Sequence, residues 1–233
     1  MRPYYEQDGC TIYHGDCREI LPEMPSVRLV VTDPPYVFGI ASTSQEGKKA
    51  GGWGDLMNSA AWYALLLREF RRITANDQGA AWMFNSWRSF PVLARASYEA
   101  QWPVESLLVW DKQWIGPGGH RGLRPSYELV ALFAQQDFAL ADRGLPDIRR
   151  SQWSGFKPNG HPAEKPVDLL TWLISESGAG LVLDPFLGSG STLVAAKALN
   201  LQAIGIEIEE RYCEIAAKRL AQQVLEFGSA APL

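Results

Sequence analysis

Six short apolar runs, at 29–32, 79–84, 104–110, 127–134, 181–184 and 202–207, constrain the fold of this 233-residue chain most. Each has the length of a strand buried on both faces. Helical patterns lie between several of them. Trp62, Leu65, Leu66, Phe70 and Ile73 share one helical face, with Arg68, Arg71 and Arg72 off it. Val167, Leu170, Leu173 and Ile174 form a second face, and Tyr212, Ile215, Ala216, Leu220 and Val224 a third. Buried strands alternating with such helices imply an α/β fold, a mainly parallel sheet with helices on both faces. No helical pattern separates 104–110 from 127–134, which predicts an antiparallel piece there. No repeat or linker divides the chain, so 1–233 reads as one domain. Two stretches, 39–58 and 135–160, read as irregular; loops of that length are often lids or recognition segments.

Composition narrows the classes. No apolar run approaches a membrane span, and the opening residues lack the apolar stretch of a secretory signal, so a cytoplasmic protein without a membrane is expected. Cys10, Cys17 and Cys213 lack paired spacing, and His14, His120 and His161 lie far apart, so neither a disulfide framework nor a metal site is expected. The net charge of −4 does not advertise a nucleic-acid partner. Its distribution is uneven: 111–165 carries eight basic against six acidic residues. A local basic face can hold phosphates on an acidic protein, although an ordinary solvated face explains the charges equally well.

Leu181 to Thr192 runs from a strand through Asp184-Pro185-Phe186-Leu187-Gly188-Ser189-Gly190 into a helix beginning Ser191-Thr192. Glycines there let backbone approach a ligand, and the helix N-terminus offers N–H groups to a carboxylate. The next strand ends at Glu207, nineteen residues past Gly188, where an acid can accept both hydroxyls of a ribose. The dinucleotide fingerprint fails at Leu193, and the chain has no phosphate-loop motif. A ligand with a ribose and an amino-acid carboxylate but no pyrophosphate fits better. S-adenosylmethionine has those parts.

The run 29–32 ends in Asp33-Pro34-Pro35-Tyr36. Two prolines can simply stiffen a turn. Yet the end of a buried strand is where open α/β sheets bind ligands. An aromatic exocyclic amine is a poor nucleophile because its lone pair is delocalised into the ring. Drawing that pair out takes acceptors aimed at both N–H bonds. The Asp33 carboxylate and the Pro34 carbonyl can supply them, with Pro35 holding the backbone rigid. Tyr36 can stack on the base.

These residues resemble the DNA amino-methyltransferases, specifically their permuted β group. The resemblance runs through His14-Gly15-Asp16-Cys17, Thr32 to Tyr36, Val109-Trp110-Asp111-Lys112, Tyr127-Glu128-Leu129-Val130, His161 to Pro166, Leu183 to Thr192 and Gly205-Ile206-Glu207. It implies a Rossmann-like sheet of seven strands with one antiparallel strand, and extrusion of the target base from the duplex. It implies Asp16 and Cys17 against the cofactor's adenine, and Glu207 at the ribose. It places Lys165, Ser191 and Thr192 at the methionine end.

The implied activity is methylation of adenine N6 in DNA, since Asp as the first motif residue goes with adenine more often than with cytosine N4, the nearest alternative. Glutamine-N5 protein or RNA methyltransferases use related motifs, but usually with Asn first and the cofactor glycines earlier. An inactive DNA-binding scaffold would not need Asp33, Tyr36, Gly188, Gly190 and Glu207 together. The presumed target-recognition insertion, 113–160, is short, so a short or relaxed target is expected, as in methyltransferases of phages or prophages. A homodimer and a companion restriction endonuclease stay open.

Overall fold

The computed structural model describes residues 1–35, 53–74, 78–116, 122–153, 164–178 and 180–222. Among them nine strands form one sheet: β1 (Tyr5–Gln7), β2 (Cys10–His14), β3 (Leu29–Thr32), β4 (Ala80–Asn85), β5 (Ser106–Asp111), β6 (Tyr127–Ala134), β7 (Ile148–Arg150), β8 (Val182–Asp184) and β9 (Ala203–Glu207). Their order is β1-β2-β9-β8-β3-β4-β6-β5-β7. The five strands from β2 to β4 are parallel. The next, β6, runs against both β4 and β5, and β7 is parallel to β5. The helices among these residues are α1 (Cys17–Ile20), α2 (Trp53–Ile73), α3 (Phe90–Glu99), α4 (Val167–Glu176), α5 (Ser191–Ala198) and α6 (Glu210–Ala221).

All six apolar runs are strands, and the antiparallel piece is the β5–β6 pair. The expected seven-stranded sheet with one reversed strand is corrected to nine strands, of which β1 and β6 are reversed. The additional edge strands β1 and β7 are only three residues long and largely exposed, so neither carries an apolar run. The turn from β1 into β2 is Asp8-Gly9, with both φ positive at 51° and 76°. That geometry matches the twist of a two-residue hairpin.

Side chains alternate across the sheet. Leu29, Ala80, Val182 and Ala203 lie level on four strands and point to one face, packing with Leu170, Leu193 and Ala216 of α4, α5 and α6. The next rung, Val30, Ala81, Leu183 and Ile204, points to the other face with Ile20, Phe70 and Leu93 of α1, α2 and α3. Two further expectations are corrected on α2. The helix starts at Trp53, inside the stretch read as irregular; Gly54 costs little in a first turn whose N–H groups need no helical partner. Leu65 is 58% exposed, because the buried face runs through Ala60, Tyr63, Ala64, Leu67 and Phe70. In 135–160, β7 adds order that the sequence pattern did not suggest, and the rest of 39–58 lies outside the described residues.

Candidate active site

From β3 the chain passes through α2 to β4 on one side; from β8 it passes through α5 to β9 on the other. The boundary between β3 and β8 is therefore a topological switch point, where the carboxyl ends of open α/β sheets form a crevice. Asp184, at the end of β8, is buried there. Its Oδ1 accepts from the Thr32 hydroxyl at 2.9 Å and the Phe186 N–H at 3.1 Å, and its Oδ2 accepts from the Thr192 hydroxyl at 2.6 Å. Burial pushes its carboxyl up to about 6, against the pull of those three donors, and the Asp33 charge adds to the rise. Asp184 thus knits β3, the glycine turn and the first turn of α5 together.

The glycine turn folds back onto β9. The Gly188 N–H donates to Glu207 Oε2 at 2.8 Å, and Glu207 Oε1 accepts from the Glu209 N–H at 2.8 Å. Gly190 caps α5 in the left-handed region at φ 86°, where an added Cβ would lie 2.8 Å from Ala216 Cβ. Ser189, Ser191 and Thr192 are buried around the turn. Arg219 of α6 donates to the Ser189 carbonyl at 2.7 Å and pairs with Glu164 at 2.9 Å, tying the turn to the segment before α4. Beside Glu207 the parallel pairing places His14, so Asp16 and Cys17 follow directly at the end of β2. Asp16 caps α1 through the Arg18 N–H at 2.9 Å, and its carboxyl is held below the usual range by the Arg18 guanidinium. Burial pushes the Cys17 thiol up to about 12, so it stays protonated.

Asp33 follows β3 directly. Its Oδ2 accepts from Lys165 Nζ, while its Oδ1 is buried without a hydrogen-bond partner among the described residues. Lys165 also faces Glu128 Oε2 at 3.4 Å, and Glu128 pairs with Lys112. Burial alone would pull the Lys165 ammonium down, but the Asp33 and Glu128 carboxylates outweigh it and hold its pKa above the usual lysine value. The Tyr63 hydroxyl donates to the Pro35 carbonyl at 2.7 Å. Burial first, then the Asp33 charge, raises that phenol, which remains a neutral donor. Tyr36 lies outside the described residues.

The family model for DNA methylases of the N6/N4 type matches residues 27–218, a span that contains β3, the glycine turn and Glu207. The chain belongs to this DNA methylase family. It is 32% identical over 222 residues to YubD of Escherichia coli (strain K12), with 93% of each chain covered. It is 26% identical to the DNA adenine methyltransferase YhdJ of the same organism, covering 93% of this chain and 84% of that one. Among solved structures, the M1.HpyAVI–SAM complex matches with a TM-score of 0.70 and 25% identity, over 91% of this chain and all of that one.

In this methylase the described residues singled out by sequence follow the carboxyl ends of β2, β3, β8 and β9 or, as Lys165 does, bond to a residue there, with Asp33 and Lys165 in direct contact. Three protein groups donate to the Asp184 carboxylate, so it braces the glycine turn. Sequence reading gave no role to Tyr63, Glu128, Glu164 or Arg219, although Glu128 and Glu164 lie in segments that carry the resemblance. Tyr63 lay within a helix pattern but without a polar signal, and the other three act across long sequence separations. Among the described residues no group of His, Cys, Asp and Glu is placed to hold a metal ion.

Proposed function

We propose that this DNA methylase transfers a methyl group from S-adenosylmethionine to adenine N6, with Asp33, Pro34, Pro35 and Tyr36 as the catalytic motif. One observation carries the reading: Asp33 Oδ1, an acceptor buried without a partner among the described residues, stands at the switch point beside the glycine turn. An unmatched buried acceptor is costly unless a ligand donor meets it. The amine of a flipped base supplies that donor, and the Pro34 carbonyl takes its second N–H. The residues also fit the cofactor. Gly190 lets the turn pack tightly on Ala216 of α6, Glu207 suits a ribose, Asp16 and Cys17 its adenine, and Lys165, Ser191 and Thr192 its methionine end, with Asp184, Phe186, Gly188 and Ser189 shaping the turn. When bound, that cofactor supplies the methyl group as a sulfonium. Holding both reactants in line contributes much of the rate.

Adenine is favoured by the Asp at the head of the motif, and the adenine-specific relative YhdJ is consistent with it; cytosine N4 is the second reading because the family includes both. The motif order, with β3 before β8 in the chain, supports the permuted β group. We read the whole chain as one methyltransferase unit with 113–160 as the target-recognition insertion. Within the described part of that insertion, Trp114, Ile115 and Leu123 are exposed beside Arg124, a mixture suited to DNA. Mass spectrometry of nucleosides from DNA incubated with the protein and S-adenosylmethionine tests the reading. N6-methyladenine is expected; N4-methylcytosine would transfer the assignment, and no methylated base would end it.

A further inference from the structure

The two oxygens of Asp33 are not equivalent. Oδ2 is engaged by Lys165 and Oδ1 is buried and open. Behind that pair stands a line of alternating charges: Asp33, Lys165, Glu128 and Lys112, with side chains 23%, 10%, 16% and 15% exposed. They come from four places in the chain: the end of β3, the segment before α4, β6, and the end of β5. Lys165 Nζ also lies 5.2 Å from the centre of the Phe84 ring, which closes one side of its space.

Such a buried ionic line is a poor device for stability, since desolvation offsets most of the attraction. Its effect is directional. A lone carboxylate could turn either oxygen toward a ligand or draw in water. Clamped at Oδ2, the Asp33 carboxylate cannot rotate without breaking a charge-assisted bond. Lys165 is long and flexible, and would not hold that geometry alone. Glu128 grips it from the far side and is itself anchored by Lys112.

We propose that Lys165 and Glu128 are positioning residues for methyl transfer: Lys165, steadied by Glu128, occupies Oδ2 of Asp33 and so reserves the buried Oδ1 for the amine of the target base. The proposal rests on the reading of Asp33 as the amine acceptor. It gives Glu128 a task that acts through another residue, and gives Lys165 one beyond the cofactor's methionine end.

The test measures methyl transfer to DNA and, separately, S-adenosylmethionine binding by calorimetry without DNA. Glu128→Gln is expected to lower kcat about tenfold to hundredfold, the scale of a misplacement near 1 Å. The KM and Kd for S-adenosylmethionine should stay within about twofold. In a Lys165→Met background Glu128→Gln should cost nothing further, because it acts only through Lys165. Additive losses, or a fall in cofactor affinity matching the fall in rate, would overturn the proposal. Wild-type methylation together with an undiminished kcat in Glu128→Gln overturns it alone, whereas a wild type that methylates no DNA overturns the functional reading and the proposal together. If Glu128→Gln does not fold, ¹⁵N NMR of Lys165 Nζ decides. That ammonium faces Asp33, Glu128 and the Phe84 ring, with Lys112 beyond Glu128. It should titrate above the usual lysine value in the wild type and lower in Asp33→Asn. Titration at or below the usual value would show that the clamp is absent.

Discussion

Thr32 and Asp184, the last residues of β3 and β8, are joined by a 2.9 Å hydrogen bond across the switch point of the sheet. The bond ties the strand leading into the catalytic motif to the strand leading into the glycine turn. Both partners are buried, so neither can exchange the bond for water.

Thr32→Val keeps the side-chain shape and removes the donor. Asp184 would retain Phe186 and Thr192, so the expected cost is about 1–2 kcal/mol. For a chain of this size that lowers Tm by about 2–4 °C per kcal/mol. Thermal unfolding checks it, and an unchanged midpoint would show that the bond contributes nothing net.

Asp184 also gives stability a pH signature. Its carboxyl stands at about 6 in the folded chain against 3.8 unfolded. Between those values the folded state binds a proton that the unfolded state does not. This group's contribution is therefore complete below about pH 4 and lost as pH rises through 6, by roughly 3 kcal/mol. Asp184→Asn cannot titrate, so wild-type stability minus variant stability should fall across that window. Urea unfolding at a series of pH values measures it; a difference that rises with pH contradicts the assignment.

Asp33 and Glu207 should separate cleanly in kinetics. Asp33→Asn removes a charged acceptor from the target amine, and a loss of about 10²–10³-fold in kcat is expected with cofactor affinity largely kept. Glu207→Gln weakens a carboxylate already ordered by the Gly188 and Glu209 N–H groups, and should lower cofactor affinity about tenfold or more. Calorimetry with S-adenosylmethionine and steady-state rates distinguish the two. Equal loss of cofactor affinity in both variants would show that Asp33 has been assigned the wrong partner.

What could be read in advance follows burial and sequence distance. β3 and β8 were legible because the centre of the sheet is covered on both faces, which forces unbroken apolar runs such as Val30-Val31. β7 was not, because all three of its residues are exposed. β2 buries only Cys10 and Ile12, so it carries no unbroken apolar run and no strand was read there. The glycine turn and Asp33-Pro34-Pro35 are local motifs, and adjacent residues suffice to recognise them. The line from Asp33 through Lys165 and Glu128 to Lys112 is different. It exists only after the β5–β6 pair is laid beside β4, a register that no local pattern encodes.

Gly190 offers the sharpest test of the cofactor turn. Its φ of 86° lies where side chains are strained, and an added Cβ would meet Ala216 Cβ at 2.8 Å. Ala216 is fully buried on α6 and cannot give way as a flexible side chain would. Gly190→Ala should therefore cost about 1–3 kcal/mol from backbone strain, with the contact adding to it. Because Gly190 caps α5, the shift that relieves the clash also moves the Ser191 and Thr192 N–H groups away from any bound carboxylate. Cofactor affinity should fall more than stability alone explains. Calorimetry well below the melting temperature measures that loss, and a destabilised variant with wild-type affinity would remove the turn from the binding site.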